Sequence, residues 1–168
     1  MERWGLSALS SAFEVRRLGM EDVEAVCALC RSNPQYYQYC GKDFAPETIR
    51  ADMHALPPGI AMAQKYYIGF FDGGTLAAVM DLIDGYPDAA CAFIGFFMVA
   101  GSLQGQGTGS RIIGETLDFL RAMGMERCRL GIDKDNPQSN HFWRKNGFSV
   151  IREVQREDGV ILLAQRTL

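Results

Sequence analysis

Three glycines at alternate positions, Gly105, Gly107 and Gly109, stand in the stretch Gln104-Gly105-Gln106-Gly107-Thr108-Gly109-Ser110. Residues of this type at this spacing cradle an anion: without a Cβ the chain takes unusual φ values, and a bulky phosphate comes close to backbone N–H groups. The alternative is a connector that uses its glycines only for turning. A Walker-type phosphate loop is excluded, because no Gly-Lys-Ser/Thr follows. The dinucleotide fingerprint is nearly met, but Ser110 stands where its third glycine belongs. Residues Ala100 to Gln104 also separate the preceding apolar run from the first glycine, and only one strand-helix-strand unit follows, so that fold fits poorly.

Other residues carry weaker chemical signals. Asp81 lies among Val79, Met80, Leu82 and Ile83, where burial would raise its pKa toward that of a useful base. It could equally bind a cationic substrate, or face solvent by strand alternation. Asp84 and Asp88 follow it closely; strand alternation lets at most Asp81 and one loop carboxylate share a face, and one or two carboxylates there would favour an ammonium group. Cys27 and Cys30 form a Cys-x-x-Cys pair, but they share an apolar helical stripe with Val23 and Val26 and have no second pair or histidine cluster to complete a zinc site. Buried structural thiols are the expectation, and no metal. His54 and His141 belong to no motif and are expected at the surface.

The elements that must hold the glycine turn are legible on both sides of it. Ala92 to Val99 is an apolar run of strand length, and Ile112, Ile113, Thr116, Leu117, Leu120 and Met123 recur at helical spacing, so the glycines occupy a strand-to-helix turn. The first turn of such a helix has N–H groups without intrahelical acceptors and the positive end of the macrodipole. Upstream, Phe13 to Leu18 reads as a strand and Met20 to Arg31 as a helix that breaks at Pro34. Asn33 to Gly41 then carries three tyrosines, and a further helix spans Pro46 to Leu56. Tyr66 to Phe71, Thr75 to Ile83 and Ala90 to Val99 form a meander, with Gly69 and Gly95 as sites for a bulge or a close backbone approach. After the long helix, Arg127 to Asp133 is a strand, Ser139, Phe142 and Trp143 fall at helical spacing along a short helix, and Phe148 onward gives a strand and a closing hairpin about Asp158-Gly159.

The turn matches Gln/Arg-x-x-Gly-x-Gly/Ala, and Asn136-Pro137-Gln138-Ser139-Asn140-His141-Phe142-Trp143-Arg144-Lys145-Asn146-Gly147-Phe148 is similar to Asn-x-x-Ala-x-x-hydrophobic-Tyr-x-Lys-x-Gly-Phe. With both motifs in order, the chain from Phe13 to Leu168 resembles the GCN5-related N-acetyltransferases. The resemblance implies acetyl-CoA as co-substrate, its pyrophosphate on Gln104, Gly105, Gln106, Gly107, Thr108, Gly109 and Ser110. It implies a splayed strand whose Phe97, Met98 and Val99 offer backbone groups to the pantetheine arm, the N–H of Met98 serving as oxyanion donor. Asn136, Ser139, Phe142 and Trp143 would complete the cofactor site, although Asn136 before Pro137 is equally a capping or turn residue. It also implies that the tyrosine stretch and the helix after it form one wall of the acceptor cleft, where ordinary packing is the alternative for any one tyrosine. Trp143 stands where many members have the tyrosine that protonates the leaving thiolate, and an indole N–H is a donor only.

The expected fold is α/β (α+β), a single domain with a mixed, mostly antiparallel sheet of six to seven strands, splayed at the acyl-CoA site and flanked by about four helices. A chain of 168 residues that is 48% hydrophobic can bury one proper core. A formal charge of -3 gives no electrostatic footprint for nucleic acid. Residues 1–12 are serine-rich and lack a continuous apolar stretch, so a loose leader is expected, with no signal peptide or membrane span. Five cysteines without framework spacing suit a reducing cytoplasm. The expected function is N-acetyltransfer from acetyl-CoA to a small or amino-acid-like primary amine, Asp81 being the candidate base and a homodimer a compatible assembly. The alternative is a CoA-binding sensor module with little turnover.

Overall fold

The structure is a computed structural model that describes residues 3–40 and 43–168, Cys40 by its backbone alone. Met1 and Glu2 of the expected leader, and Gly41 and Lys42 at the end of the tyrosine stretch, lie outside the described residues. Seven strands form one sheet in the order β1-β2-β3-β4-β5-β7-β6. They are β1 Glu14–Arg17, β2 Lys65–Asp72, β3 Thr75–Asp84, β4 Cys91–Val99, β5 Arg127–Asp133, β6 Ser149–Arg156 and β7 Gly159–Thr167. All neighbours are antiparallel except β4 and β5, which run parallel and are joined through the long helix α4, Thr108–Ala122. A parallel pair needs such a crossover.

The remaining helices are α1 Val23–Arg31, α2 Pro34–Cys40, α3 Pro46–His54 and α5 Pro137–Lys145. That makes five among the described residues, one more than expected, and the addition is α2. Pro34 does end α1, but it then opens a new helix, because proline's missing N–H and fixed φ suit a first helical position.

Strand alternation sorts the core onto the two sheet faces. Ala78, Met80 and Leu82 of β3 point to the face covered by α4 and α5, where Ile112, Ile113, Leu117 and Leu120 meet them. Val79 points to the other face, where Val26, Cys27 and Cys30 of α1 and Ile49 and Met53 of α3 pack. Cys27 and Cys30 are fully buried in that apolar cluster, and burial pushes the Cys27 thiol up.

Residues 3–12, expected to be a loose leader, are instead docked on the α4 face. Trp4 is 1% exposed, stacks on Tyr66 at 4.7 Å and meets Phe119 edge-on at 6.0 Å. Leu6 and Leu9 are buried with it, Arg3 pairs with Asp84 at 2.8 Å, and the Ser10 and Ser11 hydroxyls donate to Glu115 of α4. An indole is among the largest apolar surfaces that a side chain can withdraw from water, and its burial offsets the ordering of the short segment that carries it.

Candidate active site

The register between β3 and β4 shifts at one point: Asp81 pairs with Phe96 and Leu82 with Ile94, which leaves Gly95 as an extra, bulged residue. A Cβ at Gly95 would lie 2.8 Å from Asp81 Oδ2, so only glycine lets that carboxylate close over the strand. Pairing of β4 with β5 covers Cys91 to Ile94 and goes no further, while β5 continues along β7 as far as Asp133. From Gly95 onward the two parallel strands therefore part, and β4 has backbone groups facing a gap.

Which groups face it follows from the antiparallel alternation. The N–H of Ala100 donates to Ala77 O at 2.8 Å, so Ala100 and Ala77 are a hydrogen-bonded pair. Counting back along the register, Met98 bonds to Val79, whereas Phe97 and Val99 turn their N–H and C=O away from β3 into the gap. This corrects the expected oxyanion donor: the N–H of Met98 is committed to the sheet, and that of Phe97 is aimed at the cleft. The Val99 carbonyl accepts from Asn33 Nδ2 and Gln104 Nε2, each at 3.0 Å, and Gln104 also donates to Asn33 Oδ1. The N–H of Gly101 donates to Ser32 Oγ at 2.9 Å. The corner between α1 and α2 is thus stitched to the end of β4.

A cavity of about 490 Å³ fills the gap and runs to the start of α4. Gly107, with φ +81°, caps α4, and Gly105 has φ +73°; an added Cβ at either would meet nothing within 4 Å, so the space before the helix's free N–H groups is open. Of the residues expected in the cofactor site, Phe97, Met98, Val99, Gln104, Gly105, Gly107, Gly109, Ser110, Asn136, Ser139, Phe142 and Trp143 line this cavity. Gln106 and Thr108 do not; the Gln106 side chain turns back to donate to Ser102 O. Asn33 and Tyr36, from the stretch that the resemblance put on the acceptor wall, line it as well, as do His141, expected only at the surface, and Lys145. Tyr36 and Asn33 arrive through α2 and the corner before it, which no hydrophobic period marks. Lys145 sits inside the second motif at its lysine position, a signal that was available.

A smaller recess of about 60 Å³ continues the cavity into the fork between β4 and β5, past Gly95, Phe96, Gly131 and Asp133. Asn136 caps α5 by accepting from the N–H of Ser139 at 3.0 Å, and it lines both spaces. Trp143 is 7% exposed and packs among Phe97, Phe142 and Phe148.

Asp81 lines neither space. Its Oδ2 lies 2.7 Å from Nζ of Lys65, whose side chain is 2% exposed, beneath α1 and α3. A carboxylate that lines neither space and is already committed to a buried ammonium counts against the expectation of a base at Asp81. Asp84 pairs with Arg3, and Asp88 with Arg127. Asp133, at the end of β5, lines the recess, and its Oδ1 accepts from the N–H of Asp135 at 3.0 Å.

A model of the acetyltransferase (GNAT) family matches residues 24–148, well over half of the chain. The chain belongs to the GNAT acetyltransferase family. It is accordingly an acyltransferase, and solved members share its fold. An acetyltransferase from Thermus thermophilus superposes with a TM-score of 0.75 at 19% identity, over 94% of this chain and 97% of that one. The paia N-acetyltransferase of Thermoplasma acidophilum, in complex with coenzyme A, gives 0.65 at 19% identity, over 93% and 99%. The ribosomal-protein-S18-alanine N-acetyltransferase of Escherichia coli gives 0.66 at 14% identity, over 91% and 92%. No curated protein matches the sequence significantly.

Proposed function

We propose that this acetyltransferase moves an acetyl group from acetyl-CoA to the primary amine of a small or amino-acid-like acceptor, by direct attack in the fork between β4 and β5. The observation that carries the reading is the β4 backbone from Gly95 onward, unpaired with β5 beside a glycine turn. An extended amide-bearing arm along β4 gains the sheet bonds that β5 does not make. Its pyrophosphate then meets the first N–H groups of α4, with the Lys145 ammonium on the same cavity. The thioester carbonyl falls beside Phe97, whose N–H supports the oxygen as charge develops on it.

The recess supports an amine as acceptor. Asp133 lines it, and Tyr36 and Phe96 supply aromatic surface, a combination that favours an ammonium group. Cys27, Cys30, Cys91 and Cys128 are all buried, and Cys27, Cys91 and Cys128 are free thiols, which suits the cytoplasm. No helix among the described residues is long and apolar enough to cross a membrane.

The test is release of free thiol from acetyl-CoA against panels of amines and of alcohols. Turnover is expected with amines and at least tenfold weaker with matched alcohols. Tight CoA binding with no release on either panel would instead make the protein a CoA-binding module.

A further inference from the structure

The main cavity and the recess meet at one place, and an acyl group entering along β4 must react there with an acceptor held in the recess. Tyr36, Phe97, Asn136, Ser139 and Trp143 line both spaces. The sulfur that leaves at this junction carries a pair of electrons and needs a proton.

Few groups at the junction can supply one. Phe97 offers only its backbone, and the Asn136 amide and Trp143 indole donate hydrogen bonds without ionising in water. The aliphatic hydroxyl of Ser139 does not ionise in the working range either. Asp133 lines the recess and not the main cavity, and His141 and Lys145 line the main cavity and not the recess. A phenol, ordinarily near pKa 10, stands within about two units of a thiol near 8.5, so it can give its proton to a thiolate and take one back. The Tyr36 ring is held edge-on by Phe96 at 6.0 Å and by Tyr37 at 5.1 Å, which fixes its plane beside the bulged strand.

We propose that Tyr36, delivered by α2, is the proton donor to the leaving sulfur, a task that Trp143 on α5 cannot perform. The inference rests on acetyl transfer taking place in this cleft. The amine nitrogen forms its bond to the carbonyl carbon, the C–S bond breaks with its electron pair on sulfur, and sulfur takes the phenolic proton. The phenolate regains a proton from the nitrogen that attacked, which arrives as an amine and leaves as an amide. No proton or electron is left over.

The test compares wild type, Tyr36→Phe and a protein carrying 3,5-difluorotyrosine at position 36, on acetyl-CoA and the best amine of the panel. Tyr36→Phe should lose about 10²-fold or more in kcat, as removal of a general acid does, with KM for acetyl-CoA within threefold of wild type. The fall of kcat at high pH should vanish in Tyr36→Phe and move to lower pH in the fluorinated protein. That protein keeps the phenol's shape, so it answers the question even if Tyr36→Phe does not fold. Its fluorine resonances should move on addition of CoA and stay in place with desulfo-CoA, a readout independent of turnover. An active wild type with Tyr36→Phe within threefold in kcat, or with an unmoved high-pH limb in the fluorinated protein, overturns the assignment of Tyr36 and leaves the proposed function standing. A wild type that releases no thiol with any amine overturns the proposed function, and this inference with it.

Discussion

Lys65 and Asp81 show what residue types alone leave open. Both were visible in the sequence, and Asp81 had the apolar neighbours of a tuned base, yet its partner lies sixteen positions away. The two meet because Tyr67 pairs with Asp81 and Ile83 with Lys65, which makes the charged residues diagonal neighbours on one sheet face. That is a fact of register, and register is fixed by tertiary pairing. Lys65→Met should destabilise the fold by about 3 kcal/mol, since it removes a buried charged partner of the Asp81 carboxylate. Lys65→Met with Asp81→Leu should cost less than the single change. Urea denaturation of the three proteins checks this, and a neutral Lys65→Met would mean that the pair is solvated. The alternation that exchanged Met98 for Phe97 is illegible for the same reason, because parity along β4 depends on where its one extra residue sits.

A second charged pair gives a signed dependence on pH. Arg16 donates to both carboxylate oxygens of Asp22, at 2.9 and 2.8 Å, and the N–H of Gly19 adds a third bond. Hydrogen bonding from Arg16 holds the Asp22 carboxyl below its ordinary value. The unfolded chain therefore takes up the proton first on acidification. The stabilisation is complete above the ordinary carboxylate pKa of about 3.9 and is lost as pH falls through the depressed folded value. Asp84 has the opposite sign, because burial outweighs Arg3 and raises its carboxyl, so its own contribution grows as pH falls. Urea midpoints between about pH 6 and pH 3 should fall less steeply for Asp22→Asn than for the native chain. An unchanged slope would show that Asp22 does not titrate with folding.

Among the elements, the turn into α4 was the most legible. Alternating glycines between an apolar run and a 3.6-residue period leave little else to choose, and the observed helix begins at Thr108, inside the expected turn. The short α2 was the least legible: seven residues beginning with proline and carrying three tyrosines give no period from which to infer a helix. For the turn, Gly107→Val should raise the dissociation constant for CoA by at least tenfold. Valine is strained at φ +81°, and its side chain would stand in the open space before the helix N–H groups. Calorimetry on the folded variant measures it. Undiminished affinity would remove the anion-cradling role from this turn.

At the scale of the whole molecule the mixed, mostly antiparallel sheet and the single domain followed from the pattern of strands and helices, whereas the docking of residues 3–12 did not. Trp4, Leu6 and Leu9 have neither a strand nor a helical spacing, and their burial is set by a surface of α4 and β2 that forms elsewhere in the chain. Deleting residues 1–12 should therefore uncover Tyr66 and Phe119 and lower the melting temperature by several degrees at least, with increased binding of an apolar dye. A truncated chain as stable as the full one would mean that the indole's burial is energetically idle.

The parting of β4 from β5 has a consequence for the free protein. A sheet whose central strands separate has an inner margin of backbone donors and acceptors as well as its two outer ones, and such margins are templates for any extended chain that reaches them. Here the margin opens into the cavity that α2 and α5 line, so its donors and acceptors are offered to what enters that space and not along an outer edge of the sheet.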